Sequence, residues 1–424
     1  ATGGTTATGG TTATGGTTAT GGTTATGGTT ATGGTTATGG TSGCGDSDQD
    51  GVDDCTDGCP FDGAITTHCD RLRITVDATQ VDATLTDFPV LVRVTDPALS
   101  ASRADGRDLF FSADGGATPL AFQIERWVQG SGELVAWVKL PAVADLSDTT
   151  FYLRFGDGSA ADRSNGAAVW SSSFRAVYHM ATGGGAGVAA DSSGNANNAA
   201  PDTYTGGGCS VANSQPADQP AGLAGSALTF GGNLCTRLVA PDSSSLDITG
   251  DLTVSAWVRM TNATAFQTIA AKRVRTDEQC NYQAGFNSGN MLFMWGTTSG
   301  SYWPPVIASN PPAVPPASTW AHVVYSVQGS TKALLTYVNG VRVNSTAQNQ
   351  SSDIGGSFPV GRQLSLVANN QPLFLGGNDQ ETDQALRGDL DEVRLAATAR
   401  TPAWIAAEYQ NQRIGSTFLS FAAE

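Results

Sequence analysis

The sequence is poor in charge, and in positive charge above all. Only 14% of its 424 residues are Asp, Glu, Lys or Arg, and 22 Lys and Arg stand against 38 Asp and Glu. A net charge of −16 argues against nucleic acid and against anionic membrane surfaces as partners. Long apolar runs are missing as well. None approaches the roughly 18 residues of a membrane span, so no spanning helix is expected. No signal peptide is visible and the chain opens inside a repeat, which points to a mature or truncated form. Histidine is scarce: His68, His179 and His322 are too scattered along the chain to suggest a metal or proton-transfer cluster. His322 lies on an apolar strand and reads as a core histidine. In place of charge there is glycine, 53 residues of it, a profile that suits turn-rich secreted β proteins better than helical enzymes.

Residues 1–41 are one hexapeptide, Ala-Thr-Gly-Gly-Thr-Thr, repeated six times and cut short in a seventh copy at Thr41. With no charge and nothing larger than threonine, the unit cannot encode an active site. Glycine pairs every six residues break the three-residue register of collagen. Glycine and β-branched threonine together disfavour a helix. An even period presents the same side chains to the same face of an extended strand in every copy. The unit then reads as a four-residue strand plus a Gly-Gly link suited to a type I′ turn. Such a sheet buries only Ala and Thr methyls, so it needs stacking against copies of itself. Thr2, Gly3, Gly4, Thr5 and Thr6 of the first unit, and their equivalents, are the expected assembly residues. A bundle of extended chains suits the same composition. So does a disordered Gly/Thr linker, glycosylated or not, and the recurring Thr-x-Thr also fits an ice-binding array.

Seven cysteines are unevenly placed. Cys44, Cys55, Cys59 and Cys69 crowd after the repeat, as in a disulfide-stapled extracellular segment too small for a core. Cys209 and Cys235 are expected to pair, which leaves Cys280 as the odd thiol. Between the first cysteines, six aspartates fall within residues 46–57. Without a cation that density of like charge would repel itself. The spacing matches a calcium loop, with Asp46, Asp48 and Asp50 as ligands, Gly51 at the sharp turn, the Val52 carbonyl next, then Asp54 and Asp57. Zinc at Cys55-x-x-x-Cys59 is the alternative, but aspartates are hard oxygen ligands. Through Asp57-Gly-Cys59-Pro60 the segment resembles a thrombospondin type 3 repeat. That resemblance implies structural calcium on the residues just named, stiffening residues 44–70.

From Leu72 the pattern turns strand-like. Alternating apolar stretches at residues 72–76, 88–94, 108–111, 122–127, 134–140 and 151–156 are separated by Gly, Pro and Asp clusters, the signature of an antiparallel sandwich. Asp87-Phe-Pro-Val90, Asp105-Gly-Arg-Asp-Leu109, Trp137-Val-Lys139 and Tyr152-Leu-Arg-Phe-Gly156 resemble a bacterial extracellular domain of unknown function. Further on, Asp191-Ser-Ser-Gly-Asn195, Leu252-Thr-Val-Ser-Ala-Trp-Val258, Trp320-Ala-His322, Tyr337-Val-Asn-Gly340 and Gly388-Asp-Leu-Asp-Glu-Val-Arg394 resemble a laminin-G-like, concanavalin-type jelly roll. Tyr337–Val343 reads as a hairpin turning at Asn-Gly, and residues 402–412 as a short helix. Jelly rolls of this type include glucanases, but Asp389-Leu-Asp391-Glu392 lacks the Glu-x-Asp-x-x-Glu spacing. The resemblance makes this stretch structural, with Arg394 pairing to a neighbouring acid. Many such domains bind calcium and sugars, which nominates Asp191 and Asn195 as a second metal or ligand site. Trp303, followed by Pro304 and Pro305, suits either a sugar platform or a packing lid.

The expected fold class is therefore all-β: the repeat over 1–43, a calcium-loop linker over 44–70, a β-sandwich over 71–176 and a jelly roll over 177–424. The expected function is that of a secreted, non-enzymatic structural and adhesive protein, self-associating through residues 1–41 and stiffened by calcium. A monomeric carbohydrate-binding adhesin on a stalk is the alternative, and a glycan-degrading enzyme the third reading.

Overall fold

A computed structural model describes residues 70–423, apart from segments at 114–117, 157–159, 182–186, 203–214, 234, 263–264, 275–278, 288, 295–304, 308–314, 332, 344–365 and 380–383. The repeat, the acidic loop with Cys44, Cys55, Cys59 and Cys69, and also His68, Cys209 and Trp303 lie outside the described residues. The chain divides into two units, Ala1–His68 and Cys69–Glu424, and the described residues belong to the second.

That unit is nearly all β, and the strand pairs among the described residues are antiparallel. Two sheets make the first sandwich. One runs in the order Leu419–Ala423, Asp70–Val76, Thr149–Phe155, Phe110–Ser112; the other Leu85–Thr95, Glu133–Val143, Phe122–Val128. Alternation explains the layering: Leu72, Ile74 and Val76 of one sheet meet Phe88, Val90 and Val92 of the other in one core. The motif Asp105–Leu109 is tied to Gly156 by one buried carboxylate. Asp108 accepts from the Arg103 N–H at 3.0 Å and the Gly156 N–H at 3.1 Å.

The jelly roll packs an eight-stranded sheet on a seven-stranded one. Val254, Val258, Val323 and Leu395 of the first meet Tyr282, Phe286, Phe293 and Leu375 of the second in a separate core. The Tyr337–Val343 hairpin falls as expected: Ala333–Val338 and Val341–Arg342 are joined through Asn339 and Gly340, both at positive φ (53° and 78°), as a type I′ turn requires. The helix also falls as expected, over Pro402–Gln412, with Thr401 accepting from the Trp404 N–H and proline opening the first turn.

Chain order does not follow the sandwiches. Strand Phe174–Tyr178, which spans the expected boundary at 176, pairs with Arg387–Ala396 in the jelly-roll sheet. The C-terminal strand Leu419–Ala423 returns to pair with Asp70–Val76 and completes the first sandwich. Between them the helix acts as a bolt. Its Asn411 side chain accepts from the Leu91 N–H at 2.7 Å and donates to the Leu91 carbonyl at 3.0 Å, satisfying the free edge of Leu85–Thr95. Among the described residues no helix is long and apolar enough to cross a membrane.

Candidate functional site

Where the helix and the first sandwich cover the eight-stranded sheet, a charged network is buried. Two β-bulges build it. In Phe122–Val128 the register shifts between Ile124 and Arg126, and the extra residue is Glu125. In Arg387–Ala396 the register shifts opposite Ser255 and Trp257, and Glu392 takes φ +52°. A bulge sends neighbouring side chains to one face, so Asp391 and Glu392 both enter the seam. His179, one residue past strand Phe174–Tyr178, arrives beside them because Tyr178 is in register with Val393.

The contacts form a chain. His179 Nδ1 lies 2.8 Å from Glu392 Oε1 and 3.5 Å from Glu125 Oε2. Glu392 Oε2 accepts from Arg394, whose other nitrogen donates to Glu408 Oε2 at 3.0 Å. Glu408 Oε2 is in turn 3.5 Å from His322 Nε2. The Arg394 guanidinium also lies over Trp137 and Trp170, at 4.4 and 5.0 Å. Burial sets the charge states. It drives Glu125 and Asp391 well above the carboxylate range, with the Glu392 charge adding to the effect. For Glu408 burial is outweighed by the His322 imidazole 3.5 Å away, with Arg394 and Arg400, which together hold it at about 2. The two histidines that looked scattered in sequence thus sit at the ends of one network, because strands of one sheet, with Leu252–Met260 and Arg387–Ala396 between them, carry both to the seam.

The glucanase-like carboxylates are all committed. Asp389 accepts from Arg259 Nε at 2.6 Å and from Thr229. Asp391 accepts from the N–H groups of Leu223, Ala224 and Glu392 at 2.6, 3.2 and 2.9 Å. Gly222 makes that turn possible, since a Cβ there would stand 2.8 Å from Asp391 Oδ2 and 2.5 Å from the Ser226 backbone. Arg394 does pair with neighbouring acids, Glu392 and Glu408. The Asp191 carboxylate accepts four hydrogen bonds of 2.9 Å, from Val177 N, Ser193 N, Ser193 Oγ and Asn197 N. The Asn195 amide donates to the Phe174 and Arg175 carbonyls. The pair therefore folds the 191–197 loop onto strand Phe174–Tyr178.

A second polar cluster lies on the outer face of the seven-stranded sheet. In Gln279–Asn287, Tyr282 and Ala284 face the core, which turns Gln283 outward. Gln283 accepts from Arg273 at 2.7 Å and donates to Thr268 at 2.7 Å and Gln384 at 3.0 Å. Asn378 and the Arg237 guanidinium, stacked 5.1 Å over Phe374, continue it. Planar amides and guanidinium groups are the chemistry that recognises sugar hydroxyls, and here they are buried and bonded to one another. The buried ammonium of Lys272 is likewise satisfied, by Asp242, Asp247 and the carbonyls of Asn369 and Gln371.

Cys235 is disulfide-bonded and Cys280 is a buried free thiol. Burial pushes the Cys280 thiol up to about 12, so almost no thiolate exists at neutral pH. A maleimide is expected to leave the Cys280 peptide unmodified in the native protein and to label it after unfolding. Native labelling, read by mass spectrometry, would show that the strand opens.

Two parts of the chain match known families. Residues 232–406 match the Concanavalin A-like lectin/glucanases superfamily, and residues 105–179 match a domain of unknown function (DUF2341). No curated protein matches. Among solved structures, domain 4 of an extracellular arabinanase from Geobacillus stearothermophilus, in complex with arabinotriose, is 20% identical. The match covers 57% of this chain and 98% of that one, with a TM-score of 0.40. The binding domain of Paraclostridial Mosquitocidal Protein 1 is 13% identical over 56% of this chain and 52% of that one, at 0.40. The binding domain of Botulinum Neurotoxin DC is 10% identical over 57% and 52%, at 0.37. The chain thus spans about half the length of these toxin binding domains.

Proposed function

We propose that the chain is a secreted structural and adhesive protein whose repeat self-assembles into a fibre and displays the paired sandwiches on its surface. The observation that carries this reading is the strict recurrence of one uncharged, even-period hexapeptide through residues 1–41. Identical units stack into ladders, and edges rich in Thr and Gly have no charge to keep them apart. The hydrogen-bonded carboxylates of Asp389, Asp391 and Glu392 support a non-enzymatic head. The reading is tested by fusing residues 1–43 to an unrelated monomeric protein: the fusion is expected to sediment as large assemblies, and a monomeric fusion contradicts it.

In the same reading calcium on Asp46, Asp48, Asp50, Asp54 and Asp57, with the Val52 carbonyl, stiffens the join between repeat and head. Chelation is then expected to open residues 44–70 to protease while the sandwiches stay resistant, and equal cleavage with and without chelator speaks against it.

The match of residues 232–406 to a superfamily that includes lectins favours a second reading, a carbohydrate-binding adhesin. Saturable retention of the full chain on one class of immobilised glycan would support it, and no retention on a broad panel would count against it.

A further inference from the structure

Three ligand atoms meet in the seam from three separate parts of the chain. Glu125 Oε2 comes from the first sandwich, Glu392 Oε1 from a central jelly-roll strand, and His179 Nδ1 from the end of the strand that links them. All three lie within 4.8 Å of one another. The separations from His179 Nδ1, 2.8 and 3.5 Å, bracket the roughly 3 to 3.5 Å between donor atoms that share one ion at zinc-ligand distances. Glu125 Oε2 is buried, on a side chain 5% exposed, and makes no hydrogen bond. A buried carboxylate oxygen aimed at two other donors without a bond of its own needs an explanation.

The surrounding groups hold the ligands in the orientation an ion requires. Each carboxylate turns one oxygen inward and has the other fixed. Glu125 Oε1 accepts from Trp137 Nε1 at 3.2 Å, and Glu392 Oε2 accepts from Arg394. The His179 ring packs against both Trp137 and Trp170, with centroids 5.9 and 5.5 Å away. Supporting contacts of this kind orient ligands in metal sites. Arg394 is positive but engages only the outer oxygen of Glu392, and Asp391 adds a third acid beside it.

We propose that Glu125, His179 and Glu392 form a buried divalent transition-metal site, of the zinc class, that clasps the two sandwiches together. One imidazole and two carboxylates without thiolate suit zinc or a neighbouring first-row ion, whereas calcium favours six to eight oxygens. The site's role is structural: an ion held by both sandwiches stabilises the folded pair in proportion to its binding.

The test uses the full chain, stripped with chelator and reloaded with zinc, beside Glu125→Gln and His179→Gln. Because other residues of the chain can also take up metal, the reading is the difference. Each variant is expected to retain one zinc fewer per chain than the wild type after gel filtration. The melting temperature of the wild type is expected to rise with free zinc more than that of either variant. Equal metal content and equal zinc-dependent shifts in all three proteins overturn the proposal. A measurement on the unsubstituted chain guards against variants that fail to fold. Cobalt(II) is expected to quench tryptophan emission at the site, through Trp137 and Trp170, with zinc reversing it, and emission unchanged by cobalt overturns the site.

Discussion

Arg394→Met is expected to cost the described unit about 4 kcal/mol, since breaking a buried ion pair from one side leaves its partners uncompensated. Among the described residues Arg394 is the single cation touching both Glu392 and Glu408, and its guanidinium also loses the faces of Trp137 and Trp170. The double variant Arg394→Met/Glu408→Gln should recover part of the loss, because it removes one of the stranded charges. Thermal and denaturant melts of the three proteins check this, and a single variant as stable as the wild type contradicts it. Acid titration gives an independent reading. Glu408 is depressed from 4.5 to about 2, so its contribution is complete above its ordinary value and is lost as pH falls from there through about 2. Loss of Arg394 should lessen that acid dependence. Glu125 and Asp391 act in the opposite sense: raised carboxyls contribute most below their ordinary values and lose that contribution as pH climbs through their elevated ones.

Ending the chain at Thr417 is expected to have a larger effect, and in the sandwich farthest away in sequence. The deletion removes Phe418, fully buried in the first core, and strand Leu419–Ala423, which pairs with Asp70–Val76 from Leu72 to Val76. A lost buried phenylalanine alone costs about 3–5 kcal/mol. Five residues of lost pairing add several more at about 1 kcal/mol per hydrogen bond. The sum is comparable to the whole stability of an ordinary domain. The shortened chain should therefore unfold or aggregate through the bared edge of Asp70–Val76. Adding a peptide of residues 416–424 should partly restore its melting transition. A shortened chain that melts with the full-length protein would mean the strand is dispensable.

These two sites mark where legibility in the sequence ends. Strands with one buried face were readable because alternation is local: Leu72-Arg-Ile-Thr-Val76 and Phe122-Gln-Ile124 carry their orientation within a few residues. The Asn339-Gly340 hairpin and the Thr401-Pro402 helix start were readable for the same reason, each depending on two adjacent residues. The seam was not. Glu125, His179, Arg394, Glu408 and His322 meet only because strands and a helix distant in sequence are packed together. The bulges at Glu125 and Glu392 interrupt the very period by which a strand is read. Leu419–Ala423 is short and half-exposed, with nothing to say that its partner lies at the other end of the unit. Asp191 and Asn195 were legible as a motif but not as a loop clasp, since their partners Val177 and Phe174 lie on the strand before them.

The repeat's role is the centre of the account, and electron microscopy of the full-length chain beside one lacking residues 1–41 tests it most directly. Uniform filaments from the full-length protein, with dispersed particles from the shortened one, are the predicted result. Dispersed single particles from both would contradict it and leave the repeat a stalk.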